Sequence, residues 1–494
     1  MTVLAIDAGT TGVTAIVLDT DGRVAARGYR EFPQLFPRSG WVEHDPEQIW
    51  DAVRAASAEA LAAGHRPTCV GITNQRETVV LWDRQTLAAP RPAIVWQDRR
   101  SADLCERLRA AGHEPAVTAR TGLRLDPYFS ATKLAWLAAE EPQTWAGVRA
   151  GRTAVGTVDS YLAARLTGGR VHVTDPSNAS RTLLYDLATG DWSEELCELF
   201  GVPRAALPEI VASNAVVGRT DPDAFLGLDL PVAALVGDQQ SALFGQACFT
   251  PGTSKCTYGT GSFVLVNAGT TAPAPEAGLI TTVGWRLDGQ PTTYALEGSI
   301  FVTGAAVQWL RDGLGVIPAA AEIEPLAASV PDSGGVVFVP ALTGLGAPDW
   351  DPYARGAVFG LTRGSTRAHV ARATLDAIAF QVRDVTDAMA RCTGRPLTSL
   401  TVDGGAAANN LLCQLQADQL GLPVRRPTVT DTTALGAAYL AGLATGVWAG
   451  LGEITDRWHL DREFAPATTG VGADRDATHV RWRRAVTAVR EWAA

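Results

Sequence analysis

The sequence predicts a mixed α/β protein of two domains with its functional site in the cleft between them, and three observations carry that expectation. The chain has 494 residues, 46% of them hydrophobic, which exceeds the usual size of one domain and can fill two cores. Short apolar, β-branched runs alternate with capped, helix-periodic segments. A strand, a Gly/Thr turn and a second strand open the chain, and the same arrangement returns just past its middle. One such hairpin is ordinary punctuation; a copy in each half points to a polyphosphate held between them.

Val3 to Ile6 and Val13 to Leu18 are strand-like runs separated by Asp7-Ala8-Gly9-Thr10-Thr11-Gly12, which reads as a hairpin. Asp21-Gly22 then turns into a third strand. A helix follows, with Asp45 as N-cap, Pro46 at its first position, Glu47 in its first turn and Gln48 placed for a capping box. Cys69 to Thr73, Val79 to Trp82 and Ile94 to Trp96 read as short strands. Lys255 to Tyr258, Gly259-Thr260-Gly261-Ser262 and Phe263 to Val266 form the second strand, turn and strand. The domain boundary is placed between Gln246 and Pro251. A third glycine turn, Asp403-Gly404-Gly405, lies between an extended run and a helix carrying Leu411, Leu412 and Leu415, an arrangement suited to phosphate. The acidic stretch Glu322 to Glu324 reads as a solvated helix face.

Composition narrows the function classes. Charged residues make up 19% of the chain and the net charge is −10, so no basic face is available for nucleic acid. The apolar runs are too short and too interrupted to span a membrane, and the start has no export-signal pattern. Seven scattered cysteines without a C-x-x-C pair read as buried thiols of a reducing, cytoplasmic setting. Seven dispersed histidines give no metal cage.

The candidate chemistry lies at strand ends. Asp7 ends the first strand beside backbone N–H groups and the Thr10 and Thr11 hydroxyls, where a hydrated Mg²⁺ and phosphate oxygens fit. Asp238 follows the apolar run Ala233 to Val236; it reads either as the general base of a phosphoryl transfer to an alcohol or as the N-cap of the next helix. Gly71 to Glu77 brings Asn74, Gln75, Arg76 and Glu77 to a strand end. Such a mixture of donors and acceptors holds a polyol, and an exposed turn with an incidental ion pair has the same sequence. Trp96, Tyr128 and Phe263 either wall the carbon face of such a ligand or pack in the core.

Read together, these segments resemble the FGGY family of carbohydrate kinases across essentially the whole chain. The matching pieces stand in family order: DAGTT at Asp7 to Thr11, GWVEHDP at Gly40 to Pro46, GITNQRE at Gly71 to Glu77, IVWQ at Ile94 to Gln97 and DPYFS at Asp126 to Ser130. GDQQ at Gly237 to Gln240, YGTGSF at Tyr258 to Phe263, GLGAPDWDPYARG at Gly344 to Gly356, DGGAAANN at Asp403 to Asn410 and TALGAAYLAG at Thr433 to Gly442 follow.

The resemblance implies two actin-like, ribonuclease-H-like domains. Residues 1–247 would bind a polyol and carry the first phosphate hairpin; residues 248–494 would bind nucleotide. The implied reaction is ATP-dependent phosphorylation of glycerol to glycerol 3-phosphate, with another small polyol or a ketose as alternative acceptor and a non-catalytic actin-like regulator as the alternative class. Implied polyol contacts are Arg76, Glu77, Trp96, Tyr128, Asp238, Gln239 and Phe263, with Asp238 as catalytic base. Implied ATP contacts are Thr10, Thr11, Gly12, Thr260, Gly304, Gln308, Gly405 and Asn409, and Mg²⁺ falls to Asp7 and Asp238. A homo-oligomer, dimer or tetramer, is implied as well.

Three departures stand out. Family members commonly carry Ser and then Arg after the paired threonines, where Gly12, Val13 and Thr14 stand here, so one phosphate contact is missing. Members inhibited by fructose 1,6-bisphosphate carry a glycine-rich basic loop, whereas the corresponding stretch here is the acidic Asp221 to Asp229. Asp349 replaces a frequent aromatic residue, a change the sequence alone does not explain.

Overall fold

The apolar runs of the first half form β1 (Thr2–Ala8), β2 (Gly12–Asp19), β3 (Val24–Glu31), β4 (Cys69–Asn74), β5 (Gly218–Arg219) and β6 (Pro231–Gly237). They assemble in the order β5-β6-β4-β1-β2-β3. β4 is buried at every residue, as a central strand covered on both faces must be, while the edge strand β3 is mostly exposed. The computed structural model of the chain describes residues 1–275, 278–468 and 474–493. Its second half contributes β7 (Thr253–Tyr258), β8 (Ser262–Gly269), β9 (Ile280–Trp285), β10 (Thr293–Ile300), β11 (Ser399–Asp403), β12 (Val424–Pro427) and β13 (Leu460–Phe464), ordered β9-β10-β8-β7-β11-β12-β13.

The two sheets repeat one topology. In the first, β3, β2 and β1 run antiparallel in succession and β4 and β6 continue parallel to β1. In the second, β10, β8 and β7 are antiparallel in succession and β11 and β12 continue parallel to β7. Each glycine-threonine hairpin therefore joins the equivalent pair of strands in its own half, β1 to β2 and β7 to β8. The repeat read from two turns extends to five strands.

The helices include α1 (Pro46–Leu61), α2 (Ser130–Glu140), α3 (Asp238–Gly245), α4 (Arg367–Thr393), α5 (Asn410–Leu420), α6 (Thr432–Ala444) and α7 (Arg475–Ala493), with further helices between them. α1 begins as its sequence dictates, Asp45 accepting from the Glu47 N–H with Pro46 in the first turn. The expected capping box does not close, because the Asp45 bond falls on Glu47 rather than on Gln48. The expected strand Ile94 to Trp96 is shorter, a two-residue strand Ala93–Ile94. Glu324 is not a purely solvated residue either: its Oε1 accepts from Leu411 N at 3.1 Å and caps the start of α5.

Between the sheets lie α3 and α6. Val3, Ala5, Ile16 and Ala233 of the first sheet share a buried cluster with Leu265 of the second and with Leu435, Ala438 and Leu440 of α6. The two helices touch through backbone: a Cβ on Gly436 would lie 1.9 Å from Ser241 O, so only glycine fits there. Much of residues 75–230 lies outside the first sheet, with a core of its own around Leu123, Leu134, Trp145, Leu184 and Phe200, while β5 and the helix Val158–Leu166 belong to the first sheet and its core. Asp349 acquires an explanation here. It accepts from Arg483 at 2.9 and 3.0 Å and from Arg490 at 3.1 Å, fastening the loop Gly344 to Gly356 to α7. No helix among the described residues is long and apolar enough to cross a membrane.

Candidate active site

Arg76 and Glu77 follow the end of β4, fully buried rather than in an exposed turn. Arg76 makes a fork to Glu297 of β10, Nη1 to Oε2 at 2.5 Å and Nη2 to Oε1 at 3.3 Å. Its Nε lies 3.1 Å from Asp238 Oδ1. Arg181 closes the array, donating from Nε to Glu77 Oε1 at 2.6 Å and from Nη2 to Glu297 Oε1 at 3.0 Å. Charges buried this deeply persist only when paired. Burial opposes ionisation of Glu297, but Arg181 and Arg76 outweigh it and bring its carboxyl down to about 2. Glu77 holds a φ of 59°, a left-handed strain of the kind that the surrounding packing must enforce.

Around this array stand the aromatic candidates. Trp96 and Tyr128 meet edge to face with centroids 5.5 Å apart, and the Arg181 guanidinium lies 5.6 Å from the Tyr128 ring. Lys133 of α2 holds the Tyr128 loop from behind, donating to Pro127 O at 2.6 Å and Tyr128 O at 2.7 Å. Phe263 of β8 pairs in register with Thr257 of β7 and Ser299 of β10, and Leu265 pairs with Lys255 and Glu297. Alternation along each strand puts Phe263, Thr257, Lys255 and Glu297 on one face. Asp238 opens α3 at the end of β6, with Gly237 as N-cap and no side-chain cap bond. Its carboxylate is spent on Arg76 Nε and on Gln239 N, 2.7 Å from Oδ1, not on capping. Burial raises its pKa, with Arg76 opposing.

The first hairpin joins this pocket directly, because Trp96 Nε1 donates to Thr10 Oγ1 at 2.9 Å. Gln75 ties the same hairpin to β4 from below: Nε2 donates to Gly9 O at 3.0 Å and the backbone N–H to Ala8 O at 2.9 Å. Thr11 and Gly12 follow in the turn and β2. Thr260 of the second hairpin accepts from Thr303 N at 2.9 Å and Ala305 N at 3.0 Å, while Gly304 N donates to Gly259 O at 3.0 Å. This docks the short helix Gly304–Gln308 on the hairpin and leaves Gln308 exposed at its end. At the third turn Gly404 has a φ of +84°, and a Cβ there would lie 2.4 Å from Tyr258 O; Gly405 faces open space. Asn409 is partly committed, its Oδ1 capping α5 at Leu412 N, 2.8 Å away.

Asp7 is half of a carboxylate set that invites a cation. Burial, then the charges of Asp238 and Asp431, push its pKa up to about 8. No group of three acidic, His or Cys side chains suited to a metal occurs among the described residues. Two carboxylates would leave most of a bound cation's shell to water and phosphate oxygens, the shell that Mg²⁺ prefers. Arg27 of β3 is the cation acting on Asp7, and it pairs with Asp431 at 3.3 Å. It shares its face of β3 with Tyr29, the register partner of Thr14.

Sequence reasoning missed Arg181 and Glu297, read Lys255 only as part of a strand and saw Asp403 only as the start of the third glycine turn. Asp403 accepts from Gln246 Nε2 at 3.0 Å and from Thr432 Oγ1, and its other oxygen is buried without a partner. For Lys255 and Glu297 the available signal was charge inside apolar strands, a rare placement unless paired; Arg181, in the turn after a short helix, gave none.

Family models for the N-terminal and C-terminal domains of the FGGY family of carbohydrate kinases match residues 2–245 and 254–445. The chain belongs to this family. Among FGGY relatives, the glycerol kinase of Aromatoleum aromaticum is 55% identical over 496 residues, covering 99% of each chain. That of Gloeobacter violaceus is 54% identical, covering 99% of this chain and 97% of the relative. The crystal structure of Plasmodium falciparum glycerol kinase with ADP superposes with a TM-score of 0.92 at 33% identity, covering 99% of this chain and 98% of that one. The FGGY architecture also spans other substrates: xylulose kinase from Rhodospirillum rubrum superposes with a TM-score of 0.88 at 27% identity over the full length of both chains.

Proposed function

We propose that the chain transfers the γ-phosphoryl group of ATP to glycerol, giving glycerol 3-phosphate, with Asp238 as general base. The observation that carries the assignment of the base is the division of labour on its carboxylate. Oδ1 takes Arg76 Nε and the Gln239 N–H, while Oδ2 has no hydrogen bond among the described residues and can accept a hydroxyl proton. The upward shift by burial suits that task, since a base works best with a pKa nearer the working pH. Arg76, Glu77 and Gln239 supply polar contacts to the hydroxyls, and Trp96, Tyr128 and Phe263 enclose the carbon skeleton.

Thr10, Thr11, Gly12 and Thr260 would hold the polyphosphate from the two hairpins, with Gly304, Gln308, Gly405 and Asn409 taking the rest of the nucleotide. Asp7 and Asp238 would hold Mg²⁺, which when bound neutralises charge on the phosphoryl oxygens. Retention of Asp238 with an unpartnered oxygen beside an intact polyol segment argues against a non-catalytic regulator. The same proposal places the enzyme in the cytoplasm as a homo-oligomer without nucleic-acid partners; an absence of disulfides among the described residues, with every cysteine but Cys392 buried, supports that setting.

The test is Asp238→Asn in a coupled assay of ADP release with glycerol. Loss of a general base costs about 10²–10⁴ in rate, so turnover should fall by that factor while glycerol binding stays measurable by calorimetry. Near-normal turnover would end the assignment.

A further inference from the structure

Only two of the chain's 42 basic residues are lysines, Lys133 and Lys255, and both are fully buried. Lys133 holds carbonyl groups behind Tyr128; Lys255 has no part in the reaction described above. It lies on the face of β7 that looks toward α3, two residues before Thr257 and in register with Leu265. Its Nζ donates to Thr257 Oγ1 at 2.9 Å and to Gln239 Oε1. Burial pushes the ammonium below its ordinary value; Asp403 first, then Asp238 and Glu297, push it back up. An ammonium has three donors and no acceptor, so the Gln239 atom facing it must be the carbonyl oxygen. The amide nitrogen Nε2 is then turned the other way, and it makes no hydrogen bond to the protein among the described residues. Gln239 adjoins the proposed base at the start of α3, which brings this spare donor into the neighbourhood of the proposed acceptor alcohol.

We infer that Lys255 is a positioning residue that locks the Gln239 amide so that its N–H group, rather than its carbonyl, meets a hydroxyl oxygen of the polyol. The inference rests on the polyol-kinase reading and deepens it. Asp238 and Glu77 offer only acceptors, and Arg76 has given Nε to Asp238, both Nη1 hydrogens to Glu297 and Gln240 and one Nη2 hydrogen to Glu297, which leaves it a single Nη2 N–H for a ligand. A polyol carries several hydroxyl oxygens that each donate and accept, so the Gln239 amide adds a donor to the single Arg76 N–H and the Tyr128 hydroxyl in matching them. A compact ammonium suits this task better than a guanidinium, since three tetrahedral donors reach Gln239 and Thr257 within the narrow space between sheet and helix.

The experiment measures the glycerol and ATP dependence of the wild type, Lys255→Met, Gln239→Ala, the double variant and Gln239→Glu. Lys255→Met should raise the glycerol KM about tenfold, the loss of one well-placed hydrogen bond, with the ATP KM unchanged. In the Gln239→Ala background the same change should add almost nothing, because the residue it acts through is gone. Gln239→Glu keeps a partner for Lys255, and so keeps the fold, yet carries no N–H; its glycerol KM should rise at least as far. Additive losses, an equal rise in both KM values, or wild-type glycerol affinity in Gln239→Glu each overturn the inference, and the last requires no Lys255 variant to fold. A wild type inactive on every polyol removes the functional reading and this assignment together. A glycerol-active wild type with any of those outcomes removes this assignment alone.

Discussion

Glu297→Gln tests the charge array on which the pocket is built. The side chain is fully buried and accepts from both Arg76 and Arg181. A glutamine keeps one acceptor but turns an NH₂ group toward a guanidinium, leaving two buried cations with one fewer countercharge. Removing one partner of a buried pair costs about 3–5 kcal/mol. The shift of Glu297 from 4.5 to about 2 corresponds independently to about 3 kcal/mol, at about 1.4 kcal/mol per unit. For a domain of this size each kcal/mol moves the midpoint by about 2–4 °C, so thermal unfolding at neutral pH should fall by about 6–20 °C. A carboxyl held below its ordinary value adds stability that is complete above about 4.5 and is lost as the pH falls toward about 2. The gap between wild type and variant should therefore narrow only in acid. Adding Arg181→Met to the variant should cost less than the sum of the two single changes, because one surplus cation leaves with it. Melting midpoints that agree at neutral pH, or strictly additive losses, would refute the reasoning.

Other expectations follow from the same geometry. His44 and His172 are brought down to about 4, first by burial; between there and about 6.5 the unfolded chain binds more protons, so stability must fall as the pH drops. Urea midpoints measured from pH 7 to pH 5 should show that slope, and the double change His44→Gln, His172→Gln should flatten it. Fructose 1,6-bisphosphate at millimolar concentration should leave the rate unchanged. Arg219 is paired with Asp229 at 2.6 Å and Arg170 with Asp221 at 3.2 Å, and dose-dependent inhibition would contradict this. Asp349→Ala should cost about 1–2 kcal/mol by removing the Asp349 partner of Arg483 and Arg490, with faster hydrogen exchange confined to α7; unchanged exchange there would remove its role as a fastener.

Features written in local chemistry were legible before the fold was seen. The two Gly/Thr hairpins, the Asp45 cap and the strand-end positions of Asp7, Asp238 and Asp403 depend on residues within a few positions of one another. The ion pairs of the candidate pocket were not legible, because Arg76 meets Glu297 across 221 residues of sequence and Glu77 meets Arg181 across 104. The role of α6 was hidden for a related reason. It is apolar on every side, so periodicity marks no face, and only the fold reveals that it lies against both sheets. Glu324 looked like surface acidity because its partner is a backbone N–H of α5, 87 residues away.

Glu297 belongs to the second half of the chain, yet it neutralises two arginines that belong to the first. A severed first half would keep Asp238 and Glu77 beside those cations but lose the carboxylate both share, so the halves do not behave as interchangeable cassettes. Chimeras exchanging halves between relatives have to preserve this cross-boundary charge balance, whatever surface fit they achieve.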